Sequence, residues 1–219
     1  MGILDKLQEA MEDGPNRSAQ IDQLVIDDEV AAKTDWERAN RGGTNVGSHT
    51  LRETSSTRFE FKVNAMALLQ PMLFIIGGTG AYIFINTSHF GQDAMISLAS
   101  IPIAGSIVLI GLFKIFRWTE PRVFDRTTNC YWRSRKQPDT ENAQSRKKAC
   151  LLDDIHAIQL LKESLGNARN GGGYASYELN LVLKDSSRLN VVDHSNHSQV
   201  RADAEKLAQF LNVPVWDAS

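Results

Sequence analysis

Between Lys62 and Lys114 the only Asp, Glu, Lys or Arg is Asp93. The apolar runs on either side, 63–85 and 94–113, are each long enough to cross a bilayer, since a transmembrane helix needs about 20 largely apolar residues at about 1.5 Å rise each. Backbone crossing lipid must satisfy its own hydrogen bonds, so two helices joined as a hairpin are the economical reading. A chain of 219 residues then has room for that hairpin and one modest soluble domain. The mean hydropathy of -0.28 averages very polar flanks with a very apolar middle and conceals this pattern.

The flanks give an orientation. Arg52, Arg58 and Lys62 precede the first run, Lys114, Arg117 and Arg122 follow the second, and the connection 86–93 holds neither lysine nor arginine. The positive-inside rule then places both termini in the cytoplasm, in a bacterial inner membrane on this reading. Met1-Gly2-Ile3-Leu4-Asp5-Lys6 lacks the basic start and apolar run of an export signal, so the first span is expected to act as its own insertion signal. Neither span contains an Asp, Glu, Lys, Arg or His, which argues against a pump or channel. Gly77, Gly78 and Gly80 can face Gly105 or Ser106, because small residues let helices approach in lipid; they are expected to pack the hairpin or to dock another membrane protein.

Composition narrows function further. A net charge of -2 argues against a nucleic-acid binder. Acidic residues crowd the first 30 positions, giving an arm repelled by anionic lipid. Ile3, Leu4, Leu7 and Met11 line one side of a possible short helix there. Trp36 with Gly42-Gly43 reads as a packed connector or a partner-binding arm. Cys130 and Cys150, the only cysteines, have no metal or redox spacing and read as reduced core thiols.

After the hairpin, strand signals recur. Residues 122–126 and 130–134 flank a short polar step and read as a β-hairpin. The polar segment 136–148 reads as a loop, and Arg133, Arg135, Lys136, Arg146, Lys147 and Lys148 around it could meet lipid headgroups. Strand character returns at 155–161. A Gly/Asn loop at 166–173 follows, then alternation through Tyr177, Leu179, Leu181 and Leu183, a turn at 184–187 and a partner strand at 188–192. Val200, Ala204, Leu207, Phe210 and Leu211 recur at helical spacing, with Ser198 or Asn196 to cap the start and Asn212 the end. Thr57, Phe59 and Phe61 alternate just before the first span, as an added strand or an extension of the helix.

These elements predict a membrane α+β chain: a transmembrane helical hairpin plus a small, bent antiparallel sheet capped by a C-terminal helix, the pattern of a pleckstrin-homology-like domain. The expected division is an acidic arm over 1–56, the hairpin over 57–118 and the cytoplasmic domain over 119–219. Asp193-His194-Ser195-Asn196-His197 sets two histidines beside a carboxylate, as a metal site would, but no third or fourth ligand is evident, and such residues also crowd turns for capping. His156 reads as a strand residue and His49 as part of a turn-rich connector. No nucleophile elbow, paired-carboxylate motif or nucleotide loop is visible.

Residues 72–216 resemble the two-span photosystem I assembly membrane proteins of chloroplasts and cyanobacteria. The likeness rests on the hairpin, on Phe124-Asp125-Arg126 before a turn and an aromatic strand, on Asp154-Ile155 with Ile158-Gln159, and on the closing Ala204-Glu205-Lys206-Leu207-Ala208-Gln209-Phe210-Leu211-Asn212-Val213-Pro214. The chain is also similar to bacterial membrane proteins carrying a pleckstrin-homology-like domain beside two helices. Such families are scaffolds and assembly factors, so the resemblance implies a non-enzymatic role, no cofactor, and a membrane-protein partner or complex beside membrane lipids. The acidic arm and the 166–173 loop depart from the photosystem family, and another membrane complex fits better as client.

Overall fold

The computed structural model describes residues 27–39, 48–88, 93–138, 148–165 and 174–219. The readings made for 1–26, for Gly42-Gly43, for Arg146 and Lys147 and for the 166–173 loop lie outside the described residues. Two compact units divide the chain, Val63–Glu120 and the segments on either side of it, Met1–Lys62 with Pro121–Ser219.

The apolar unit contains a short 3₁₀ turn at Ala65–Leu68 and two helices, Leu69–Thr87 (here α2) and Ala94–Trp118 (α3). Asn64 caps the turn through Met66 N, and Asp93 caps α3 through Met95 N. Both helices are long and apolar enough to cross a membrane. Only 11% and 17% of their most apolar windows is buried, whereas the core helix of a soluble protein would be mostly covered. Leu73, Ile76, Phe84, Leu98, Leu109 and Phe113 each expose more than half of their surface, far more apolar area than water tolerates on a folded surface. Near the connection, Asn86 Nδ2 donates to Ser100 Oγ at 3.1 Å while Ser97 Oγ donates to Asn86 Oδ1 at 2.5 Å, a polar clasp between the helices.

The second unit is built from both sides of the hairpin. A short helix, Glu29–Lys33 (α1), precedes strands β1 (His49–Ser55) and β2 (Arg58–Val63). After the hairpin come β3 (Arg122–Asp125), β4 (Cys130–Arg133), β5 (Ala149–Leu151), β6 (Ile155–Leu165), β7 (Tyr174–Leu183) and β8 (Arg188–His194). Helix α4 (His197–Leu211) and β9 (Val215–Ala218) close the chain. The strands form a five-stranded sheet in the order β1-β2-β3-β4-β5 and a four-stranded sheet in the order β8-β7-β6-β9.

Two expectations change here. The alternation at Thr57, Phe59 and Phe61 is β2, which pairs antiparallel with β3 at Phe59↔Phe124 and Phe61↔Arg122. The boundary expected at residue 57 therefore falls inside the sheet, because β2 lies between β1, just before it in the chain, and β3, on the far side of the apolar segment. The single bent sheet is two sheets, and the second is mixed, since β9 runs parallel to β6.

The main core lies between the inner faces of the sheets and α4, with Phe61, Phe124, Tyr131, Leu160, Leu181 and Leu207 all buried. Phe59 meets the Phe210 ring at 4.5 Å, and Phe124 meets Tyr131 at 4.6 Å. Asn196 caps α4 by accepting from Gln199 N, and Asn212 ends it with φ 57°, a left-handed conformation that asparagine tolerates. Asp203 on α4 accepts from Leu51 N at 3.0 Å and so ties β1 to the helix.

Candidate functional site

The outer face of the second sheet carries an unusual row. Cross-strand pairing aligns Trp216, Gln159, Asn180 and Asn190 in one line, and Glu178 with Asp193 in the next. Alternation would normally leave such polar residues in water. Here Gln159 and Asn180 have no exposed surface, and Glu178 keeps only 3%.

The cover is the segment 28–39. Asp28 Oδ1 accepts from Val30 N and Ala31 N, which starts α1, while its Oδ2 lies 2.7 Å from His156 Nε2 on β6. Burial alone would raise this carboxyl, but the His156 hydrogen bond and the two backbone donors outweigh it and hold Asp28 below its ordinary range. A five-residue helix is too short to persist by itself in water, so α1 owes its shape to docking. Ala31 is fully buried with Ala157, Val182 and Trp216. Trp36 donates its indole N–H to Ala31 O at 3.1 Å and meets the Trp216 ring at 5.6 Å, and His156 also meets the Trp216 ring, edge-on, at 5.6 Å.

Around Trp36 and beyond it the contacts turn polar. Gln159 Nε2 donates to Asp35 O, Arg188 donates to Glu37 O and pairs with the Asp35 carboxylate at 3.0 Å, and Ala39 N donates to Glu178 Oε1 at 3.1 Å. Arg188 also reaches Gln159 Oε1 at 3.1 Å, which helps to satisfy that buried amide. Among the described residues, Asn180 Oδ1 is buried without a hydrogen-bond partner, an arrangement that costs about 1–3 kcal/mol. Burial pushes the Glu178 carboxyl up; the Asn180 hydrogen bond opposes this and the Asp193 charge adds to it. Burial likewise pushes Asp193 up, against its hydrogen bond from Asn190 and the charges of Arg122 and Arg133.

A bulge makes the acidic end of this face. The register steps from Leu179↔Val192 to Asn180↔Asn190, so Val191 is the extra residue and both Asn190 and Asp193 lie on the outer side. Arg122 Nε donates to the carbonyl of Val191 at 2.5 Å, and its Nη1 lies 2.5 Å from His49 Nε2. Guanidinium only donates, so His49 accepts at Nε2 and its Nδ1 carries the hydrogen toward Ser48 Oγ at 2.9 Å. Arg122, grouped above with the cations flanking the hairpin, is thus a buried residue of the domain, and His49 is a strand residue rather than part of a connector.

The other candidates separate. His194 Nδ1 accepts from Asn196 N, whereas His197 stacks on Tyr177 at 4.6 Å and bonds Ser219 Oγ through Nε2 at 2.7 Å. Burial holds His194 below its ordinary value. Among the described residues no group of three His, Cys, Asp or Glu is placed to hold a metal ion. Cys130 and Cys150 are buried in separate clusters.

Arg135, Lys136 and Lys148 lie at the surface, and Arg133 is half-buried. Within the hairpin, a Cβ on Gly78 would touch Val108 and Ala104, so Gly78 packs the helices. A Cβ on Gly77, Gly80 or Gly105 would meet nothing within 4 Å. The tighter approach is at Gly111, where a Cβ would lie 2.7 Å from Pro71 O. Gly105 instead lines a lateral groove of about 360 Å³ with Tyr82, Ile101 and Leu109.

The covered face was not anticipated, because a polar alternation identifies the non-core side of a strand without saying whether another segment lies on it. Trp36 was the one signal. Comparison with models of known protein families finds none that matches this chain, and comparison with characterised proteins likewise finds no match.

Proposed function

We propose that this chain is a non-enzymatic membrane scaffold or assembly factor, held in a bacterial inner membrane by the hairpin, with both termini and the sheet domain in the cytoplasm. One observation carries the reading. The strands that lead into and out of the apolar segment, β2 and β3, are hydrogen-bonded neighbours, so the anchor is spliced into the middle of the domain rather than appended to one end. An insertion of this kind ties both ends of the hairpin to neighbouring strands of the domain, which suits a module that holds a partner at the bilayer. A five-stranded sheet in chain order, a second sheet whose β6, β7 and β8 are antiparallel neighbours, and a helix packed into their core support a pleckstrin-homology-like assignment, to which the parallel β9 is an addition. The likeness to photosystem I assembly membrane proteins supports an assembly role, with a membrane-protein complex as client.

Purification in mild detergent is expected to recover a stoichiometric complex with a second membrane protein. Recovery as a solitary species across detergents and growth states would overturn the scaffold.

A second reading follows from the surface positions of Arg135, Lys136 and Lys148: a lipid-responsive regulator whose cations, with Arg133, Arg146 and Lys147, meet anionic headgroups. Neutralising the six charges would then abolish binding to anionic liposomes, and unchanged binding would remove this reading.

A further inference from the structure

The segment 28–39 touches the sheet as a ligand would. It presents a carboxylate to His156, an indole to Trp216, a second carboxylate to Arg188 and a backbone N–H to Glu178. Its apolar grip is small, resting on Ala31 with partial help from Val30 and Trp36, and most of its remaining contacts are polar. The surface beneath is more specific than the cover requires. Two amides with no exposed surface, a nearly buried carboxyl and an unpartnered Asn180 Oδ1 form a polar floor, and such groups reject any occupant that does not present matching donors and acceptors.

We infer that the outer face of the β8-β7-β6-β9 sheet is a peptide-recognition surface whose resident ligand is residues 28–39, replaced in the working complex by a partner segment of the same chemistry: acidic, with an indole beside its second carboxylate. The charges match position by position. The sheet offers His156 and Arg188 where the segment offers Asp28 and Asp35, and at its acidic end Glu178 accepts the segment's Ala39 N–H, so a peptide without carboxylates at the first two places would leave His156 and Arg188 without their partners. The cis segment is tethered, which gives it an effective concentration in roughly the millimolar range. A partner therefore displaces it only when it adds contacts or is itself held nearby, as a client in the same membrane would be.

The inference rests on the scaffold reading but can fail separately from it. The test uses the full chain in mild detergent and a labelled synthetic peptide with the sequence of residues 27–39, read by fluorescence anisotropy. Weakening the resident segment with Asp28→Asn and Trp36→Ala is expected to tighten binding of the wild-type peptide by about tenfold or more relative to the unaltered chain. Adding Arg188→Ala to that variant should remove the gain. Equal binding to the unaltered and weakened chains, or indifference to Arg188→Ala, would overturn the inference. Should Trp36→Ala disturb folding, Asp28→Asn alone, at a pair whose side chains are 29% and 25% exposed, must still tighten binding by a smaller factor. A concentration-dependent dimer lost on Asp28→Asn would assign the face to a second copy of this chain and overturn the partner assignment. If the membrane complex is recovered undiminished from an Arg188→Ala chain, the scaffold stands and this face is not its docking site. If no complex is recovered from the unaltered chain, the scaffold falls and the peptide titration still decides the surface.

Discussion

Phe61 stands opposite Arg122 across the β2–β3 ladder, although the entire apolar hairpin lies between them in the chain. Antiparallel neighbours can be joined by a tight turn, so the domain's topology does not require the hairpin. Replacing Val63–Glu120 with an Asn-Gly turn is expected to give a protein that is soluble without detergent and keeps native near-ultraviolet dichroism from its buried aromatics. Aggregation of that protein, or a need for detergent, would show that the sheet domain depends on the apolar hairpin to fold.

Glycines in the hairpin should divide by what surrounds them. Gly111→Ala forces a methyl against the Pro71 carbonyl and the Phe74 and Ile75 side chains, and overpacking of this kind costs about 1–3 kcal/mol. Gly77→Ala and Gly105→Ala meet open space and should be neutral or stabilising by about 0.5–1 kcal/mol, the helix preference of alanine. Denaturant titration in micelles ranks the three; equal effects at Gly111 and Gly105 would contradict the helix contact described above.

Asn86 should carry the register of the two helices. Removing it as Asn86→Leu deletes the bonds to Ser97 and Ser100, and Ser100 is itself buried. Interhelical hydrogen bonds in membranes contribute about 0.6–2 kcal/mol, so the hairpin should lose stability on that order while keeping its helix content by far-ultraviolet dichroism. A variant as stable as the parent would reduce the clasp to an incidental contact.

Much of this architecture is legible in local pattern. The two long helices show as unbroken apolar runs, the turn between β3 and β4 as a short polar step, and β7 and α4 as an apolar alternation and an apolar stripe, each a signal carried by neighbouring residues. What escaped is non-local. Nothing around Arg58 announces that its strand pairs with one beginning at Arg122, and Val215–Ala218 is too short to signal that it adds in parallel to β6. The Glu178 and Asn180 positions read as solvent-facing for the same reason. Their burial depends on residues 28–39, far away in the chain, and on a one-residue bulge at Val191 that turns Asp193 outward. Gly111 was overlooked because close helix approach depends on where the helices cross, which spacing alone does not give.

Glu178 supplies the last test, through pH. Its carboxyl is raised chiefly by burial, with the Asp193 charge adding to the shift and hydrogen bonds from Asn180, Ala39 and Asn190 opposing it. A raised carboxyl means that the folded chain binds more protons than the unfolded chain between the ordinary and the raised value. Stability therefore falls as pH rises through that window and is lower at neutral pH than below it. Glu178→Gln keeps an oxygen to accept from Ala39 N and removes the buried charge. The variant should be more stable than the parent at about pH 8, with the difference shrinking toward about pH 4. Asp193 and Asp203 are raised as well, and Asp28 is lowered, so total stability mixes opposing slopes. Only the difference between the two chains, from denaturant melts at each pH, isolates Glu178. A difference that stays constant across the range would mean that Glu178 titrates alike in the folded and unfolded chains, which its place under the 28–39 segment does not allow.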